Sequence, residues 1–147
     1  RSLDLTVLVT IAASFALGAA LEKTGVAAQL GAGLSALSGG HPWLLLALAY
    51  VAVSLCTEFI TNTAAALLML PILLAAAADA ALAPEPFVVA TMIAASASFA
   101  TPLGYQTNLM VLGPGGYRFA DFLRVGLPMN LLGCIVSVAV IPVFFDF

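Results

Sequence analysis

Thr57-Glu58-Phe59-Ile60-Thr61-Asn62-Thr63 is a polar island between two almost charge-free apolar runs, Trp43 to Cys56 and Ala64 to Ala78. Neither run reaches the ~20 residues that cross a bilayer comfortably. Two short apolar helices meeting at a tip rich in hydroxyl, amide and carboxylate groups read as a re-entrant hairpin over residues 43–79, with its tip at 57–63. Irregular backbone survives at membrane depth only where protein or a water-filled cavity satisfies it. Substrates and coupling ions are bound at such places in membrane carriers.

The composition demands a membrane. Hydrophobic residues make up 63% of the chain and charged residues 7%, against about 25% charged in an ordinary soluble domain. Mean hydropathy is +1.17. The net charge of -3 leaves no basic footprint for nucleic acid. Cys56 and Cys134 lie in separate apolar segments and read as small buried hydrophobes. The abrupt start at Arg1 and the end at Phe147, directly after an apolar run, lead us to expect one half of a longer protein.

The expected organisation is all-α. Residues 3–22 read as a transmembrane helix stopped by Gly25. Residues 26–38 carry Val26, Leu30, Leu34 and Leu37 at helical spacing and read as an amphipathic helix lying along the interface. After the hairpin comes a second apolar helix interrupted by a second polar island, Thr101-Pro102-Leu103-Gly104-Tyr105-Gln106-Thr107-Asn108. Pro102 disfavours helical geometry at Thr101 and lacks an N–H, and Gly104 adds backbone freedom. This gives a broken helix over 86–112 with the break at 101–108. Residues 122–145 read as a last full span. A hairpin followed by a broken helix is the unit that inverted-repeat carriers use twice. One copy is present, so the fold class is one repeat of an all-α membrane protein, with the N-terminal repeat missing from this chain. The few cations favour Arg118 and Arg124 on the cytoplasmic side.

Two polar islands define the candidate chemistry. At the hairpin tip the second arm offers free N–H groups and a favourable dipole to an anion. The first arm offers carbonyl oxygens, which with hydroxyl and amide oxygens suit a hard cation. Glu58 is the one acidic or basic side chain between Trp43 and Ala78, and a charge there needs a partner, a cavity or a proton. It reads equally as a coupling carboxylate or as a structural carboxyl holding the tip. The chain has no Cys/His metal spacing, activated nucleophile or phosphate loop, so no enzyme is expected.

At these residues the chain resembles the C-terminal half of the divalent anion–sodium symporter family, within the ion transporter superfamily. That family carries Ser-Asn-Thr at re-entrant tips, and Thr61-Asn62-Thr63 matches it with threonine for serine. Thr57-Glu58-Phe59 and the stretch from Ser96-Ala97-Ser98-Phe99 through Pro102 to Asn108 are also similar to the family's pattern. Where dicarboxylate carriers show Thr-Pro-Pro-Asn, this chain has Tyr105-Gln106-Thr107-Asn108, which resembles a bacterial and algal branch of sulfate and anion permeases. The resemblance implies a multi-pass protein of the cell (inner) membrane, a homodimer, and sodium-coupled import of a small divalent anion such as sulfate or a dicarboxylate. It implies an elevator-like mechanism and no organic cofactor. By residue match, Thr57, Ile60 (backbone), Asn62 and Gly104 (backbone) would line a sodium site. Thr61, Asn62, Thr63, Tyr105, Gln106, Thr107 and Asn108 would contact the anion. Two other readings stand beside this one: a proton-coupled antiporter or metalloid oxyanion exporter of the same superfamily, and a non-transporting subunit or sensor.

Overall fold

The computed structural model describes residues 5–147. Seven helices follow one another: α1 (Leu5–Lys23), α2 (Val26–Ser38), α3 (Pro42–Thr57), α4 (Asn62–Asp79), α5 (Glu85–Ser96), α6 (Gln106–Leu112) and α7 (Phe119–Phe144). The described residues form no β-strand.

α1 and α2 are joined by a sharp corner, and the segments Ile11–Lys23 and Val26–Ser38 cross at 74°. Gly25 makes the corner at φ 76°, a left-handed conformation that costs a residue with a Cβ about 1–2 kcal/mol. α2 packs closely on α4: a Cβ at Gly31 would sit 2.8 Å from the Ala76 nitrogen. Its contact face is set by Ala27, Gly31 and Ser38, which are buried, while Leu30 and Leu37 are exposed.

α3 and α4 are the two arms of the hairpin. Leu45, Leu46, Ala49, Tyr50 and Val53 form one buried stripe along α3 at helical spacing. They share a core with Leu73, Ala76 and Ala77 of α4, Phe87, Ala90 and Ala94 of α5, and Ile141 of α7. Alanines at so many of these positions let helix backbones approach closely where lipid supplies no hydrophobic drive for association. Within α5, the Thr91 hydroxyl donates to the Phe87 carbonyl at 2.7 Å, so this buried polar group is satisfied inside its own helix.

The second arm is longer than its apolar run. α4 takes in Asn62 and Thr63 and continues through Pro71 to Asp79, giving 18 residues and a rise of ~27 Å. It is long and apolar enough to cross a membrane, as is the 26-residue α7, which corrects the expectation that both arms fall short. α3, at 16 residues, stays shorter.

The broken helix also differs from its expected bounds. α5 ends at Ser96, and the non-helical stretch runs from 97 to 105. Past Ser96 the Ser98 hydroxyl and the Ala100 N–H bond to the hairpin tip rather than within a helix, and Gln106, Thr107 and Asn108 form the first turn of α6. α7 begins at Phe119, where the Arg118 N–H donates to the Asp121 carboxylate at 2.7 Å.

In the full-length protein, cysteines placed at His41 and Asp79 should label from the same membrane face with an impermeant maleimide. Labelling from opposite faces would show that α3 and α4 cross the bilayer in succession instead of turning back within it.

Candidate functional site at the hairpin tip and the helix break

The tip is compact. α3 closes with the Cys56 carbonyl accepting from the N–H of Phe59 at 3.1 Å and of Ile60 at 3.2 Å. Thr61 is the N-cap of α4, extended at ψ 149°, and its hydroxyl accepts from the Ala64 N–H over a long 3.4 Å. The Thr57 hydroxyl has two acceptors within reach, the Asn62 side-chain oxygen at 2.9 Å and the Ala95 carbonyl at 2.8 Å. Its single proton serves one at a time or is shared. One threonine thus links both arms of the hairpin to α5.

The break supplies the other side. Backbone N–H groups outside a helix must find acceptors elsewhere. Those of Ala100 and Thr101 donate to the two carboxylate oxygens of Glu58, at 2.9 Å to Oε1 and 2.7 Å to Oε2. Oε1 accepts a third bond, at 2.7 Å, from the side-chain amide of Asn130 on α7. Glu58 is 3% exposed. Burying a carboxylate is costly, and three donors at charge-assisted distances are the compensation this site provides. The Thr101 hydroxyl returns the contact by donating to the Glu58 carbonyl at 2.7 Å. It also lies in reach of the Leu103 and Gly104 N–H groups. Ser98 donates to the Thr57 carbonyl at 3.2 Å. Asn108, from α6, donates its amide to the carbonyls of Ser98 at 3.0 Å and Thr101 at 3.2 Å.

Two glycines permit this fit. A Cβ at Gly104 would run into the Ser98 hydroxyl and the Thr57 carbonyl oxygen. One at Gly126 of α7 would run into the carbonyl of Phe99. Close backbone approach, rather than an unusual φ, requires glycine at both places.

The structure therefore brings Thr57, Glu58, Asn62, Gly104 and Asn108 into one network. Ile60 is half-buried beside it, with its N–H used in the turn. Thr61, Thr63, Tyr105, Gln106 and Thr107 are exposed, on the rim of the tip and the start of α6. Three contributors were not singled out from the sequence as site residues. Ser98 and Thr101 lie inside quoted polar stretches, yet nothing local tells which hydroxyls cross to the hairpin. Asn130 had a signal: it is an amide within the apolar span of α7, where a polar group needs a partner.

Across residues 1–146 the chain matches the family model described as citrate transporter. It is 43% identical over 129 residues to the uncharacterized transporter YfbS of Escherichia coli (strain K12), covering 87% of this chain and 21% of that protein. It is 41% identical over 134 residues to sodium/sulfate cotransporter 1 of Chlamydomonas reinhardtii, covering 89% of this chain and 15% of that protein. To the sodium-dependent dicarboxylate transporter SdcS of Staphylococcus saprophyticus it is 29% identical over 141 residues, covering 96% of this chain and 27% of that protein. The chain thus spans about a fifth of the length of these relatives. Helices apolar enough to cross a bilayer and an all-helical architecture with a non-helical break between α5 and α6 agree with that match. The chain belongs to the citrate transporter family: it is a multi-pass membrane segment similar to the divalent anion–sodium symporters.

Proposed function

We propose that this chain forms one repeat of a secondary active transporter that imports a small divalent anion, such as sulfate or a dicarboxylate, together with sodium. The observation that supports this best is the joining of the hairpin tip to the helix break. Thr57, Asn62 and Gly104 converge there, with the Thr57 carbonyl against Gly104 and the Thr57 hydroxyl 2.9 Å from the Asn62 oxygen. Carbonyl, hydroxyl and amide oxygens without a compulsory charge are a donor set for a hard monovalent cation. Sodium here is cargo, and Thr57, Asn62 and the backbones of Ile60 and Gly104 would hold it.

The anion would sit on the exposed side of the same junction. Thr61 and Thr63 present hydroxyls there, the first turn of α4 presents N–H groups, and Asn62 has an amide N–H available once its oxygen faces inward. Tyr105, Gln106 and Thr107, exposed at the start of α6, would complete the contact, with Asn108 anchoring them through its bonds to the break. A cation and an anion bound to one rigid unit attract each other, so each would raise the affinity of the other and the two would cross together. Tip and break would then travel as one body, which suits an elevator-like movement in a homodimer whose remaining repeat lies outside this chain.

Uptake of labelled sulfate and of labelled succinate, by full-length protein in vesicles at varied sodium and pH, tests this reading. Sodium-dependent uptake that Asn62→Ala abolishes, with expression near normal, is the expected result. Wild-type uptake driven by a proton gradient without sodium would instead assign coupling to protons and reopen the antiporter reading. Gly104→Ala should be poorly tolerated, because the added methyl meets the Thr57 carbonyl and Ser98. Overpacking of this kind costs about 1–3 kcal/mol. A thermal midpoint lowered by several degrees, with a weakened sodium response, is expected. Wild-type stability and sodium response in Gly104→Ala would remove the close junction from the account.

A further inference from the structure

We propose that Asn130 of α7 is a positioning residue for the cation site: it holds Glu58 in the geometry that fixes the helix break against the hairpin tip. The proposal rests on the sodium-binding reading of that junction and adds to it a residue 72 positions away in the chain.

Three observations carry it. First, the Asn130 amide makes one hydrogen bond, to Glu58 Oε1 at 2.7 Å, and its own oxygen is buried with no donor among the described residues. A buried acceptor left unpaired is costly, so this amide is not placed to satisfy itself. Its orientation follows from Glu58: turned over, it would set its oxygen against the carboxylate. Second, α7 is brought to this spot by fit. Gly126, one turn before Asn130, lies so close to the break that a Cβ would meet the Phe99 carbonyl. Phe99 immediately precedes Ala100, whose N–H is held by the same Glu58 oxygen that Asn130 holds. Third, the neighbours of Glu58 and of the held N–H groups are the proposed sodium ligands: Thr57 precedes Glu58, and Gly104 follows Thr101 by three residues and packs on the Thr57 carbonyl.

Asn130 therefore touches neither sodium nor anion. It biases Glu58 toward the one position in which both carboxylate oxygens meet the Ala100 and Thr101 N–H groups. Without it the carboxylate loses one of three donors and gains freedom to swing toward water. A site assembled only part of the time binds its ligand more weakly in proportion to the time it is assembled. Loss of a hydrogen bond to a charged group is large enough to lower that fraction roughly tenfold.

The test is thermal unfolding of the purified full-length protein in rising sodium chloride, with choline chloride holding ionic strength constant. A ligand that binds only the folded state stabilises it by RT ln(1 + [L]/Kd), so the sodium concentration at which the midpoint begins to climb reports affinity without reference to the transported anion. Asn130→Ala should move that concentration up by roughly tenfold. Asn130→Ser, whose hydroxyl is too short to reach Glu58, should do the same and covers the case in which alanine does not fold. Val136→Ala, on the exposed side of α7, should leave it unchanged. Asn130 variants with the wild-type onset concentration would overturn the proposal, as would an equal displacement in Val136→Ala, which would assign the effect to general loosening of α7. Absence of any sodium effect in the wild-type protein would sink the sodium reading itself, and this inference with it.

Discussion

Backbone outside a helix and away from water has to find acceptors, and in this molecule that requirement is met by Glu58. The chain leaves helical geometry between Ser96 and Gln106. Two consecutive N–H groups in that stretch, of Ala100 and Thr101, have their acceptors on one carboxylate delivered by the hairpin tip. The arrangement answers two costs with one contact. The break gains acceptors that its own helix no longer supplies, and the carboxylate gains donors that make its burial tolerable. Separating tip from break would leave both unsatisfied, which ties the two polar islands into one unit.

Much of the remaining architecture follows from that contact. The Thr57 hydroxyl donates across the seam to the Ala95 carbonyl, and the Thr101 hydroxyl donates back to the Glu58 carbonyl. Gly104 and Gly126 are where the approach is too close for a side chain. α7 enters through Gly126 and Asn130, so the last span is fastened to the break as well as packed on α3 through Ile141. The alanine-rich core of α3, α4 and α5 gives a close-packed frame that holds the junction. A binding site built from backbone carbonyls and neutral side chains needs such a frame, because it has no strong charge with which to pull its own ligands into place.

The sequence shows some of this plainly and hides the rest for definable reasons. The hairpin and the broken helix are visible because polar residues interrupt apolar runs, a local signal. Thr57, Asn62 and Asn108 are recognisable through the Thr61-Asn62-Thr63 match and the polar stretch before Asn108, and all three join the network. Bounds are less visible. The apolar run through Ala100 reads as helix, whereas α5 stops at Ser96 because Ser98, Ala100 and Thr101 bond to residues 41–43 positions earlier. No window of local periodicity contains that information. Glu58 illustrates the same limit. Its burial and its isolation from other charges mark it as important, but only the folded chain tells that its partners are two amides of the break and Asn130. α4 likewise outlasts its apolar run because capping by Thr61 draws Asn62 and Thr63 into the helix.

The measurement closest to the central claim is amide hydrogen exchange of the segment 97–105 in the full-length protein, wild type against Glu58→Ala. This stretch has no helical ladder of its own, and the acceptors of its Ala100 and Thr101 N–H groups lie on the hairpin. The account expects Ala100 and Thr101 to exchange slowly in the wild type, far below the rate of an open loop, and to lose most of that protection in Glu58→Ala while the core of α3 stays protected. Equal exchange in the two proteins, whether fast or slow, would contradict it.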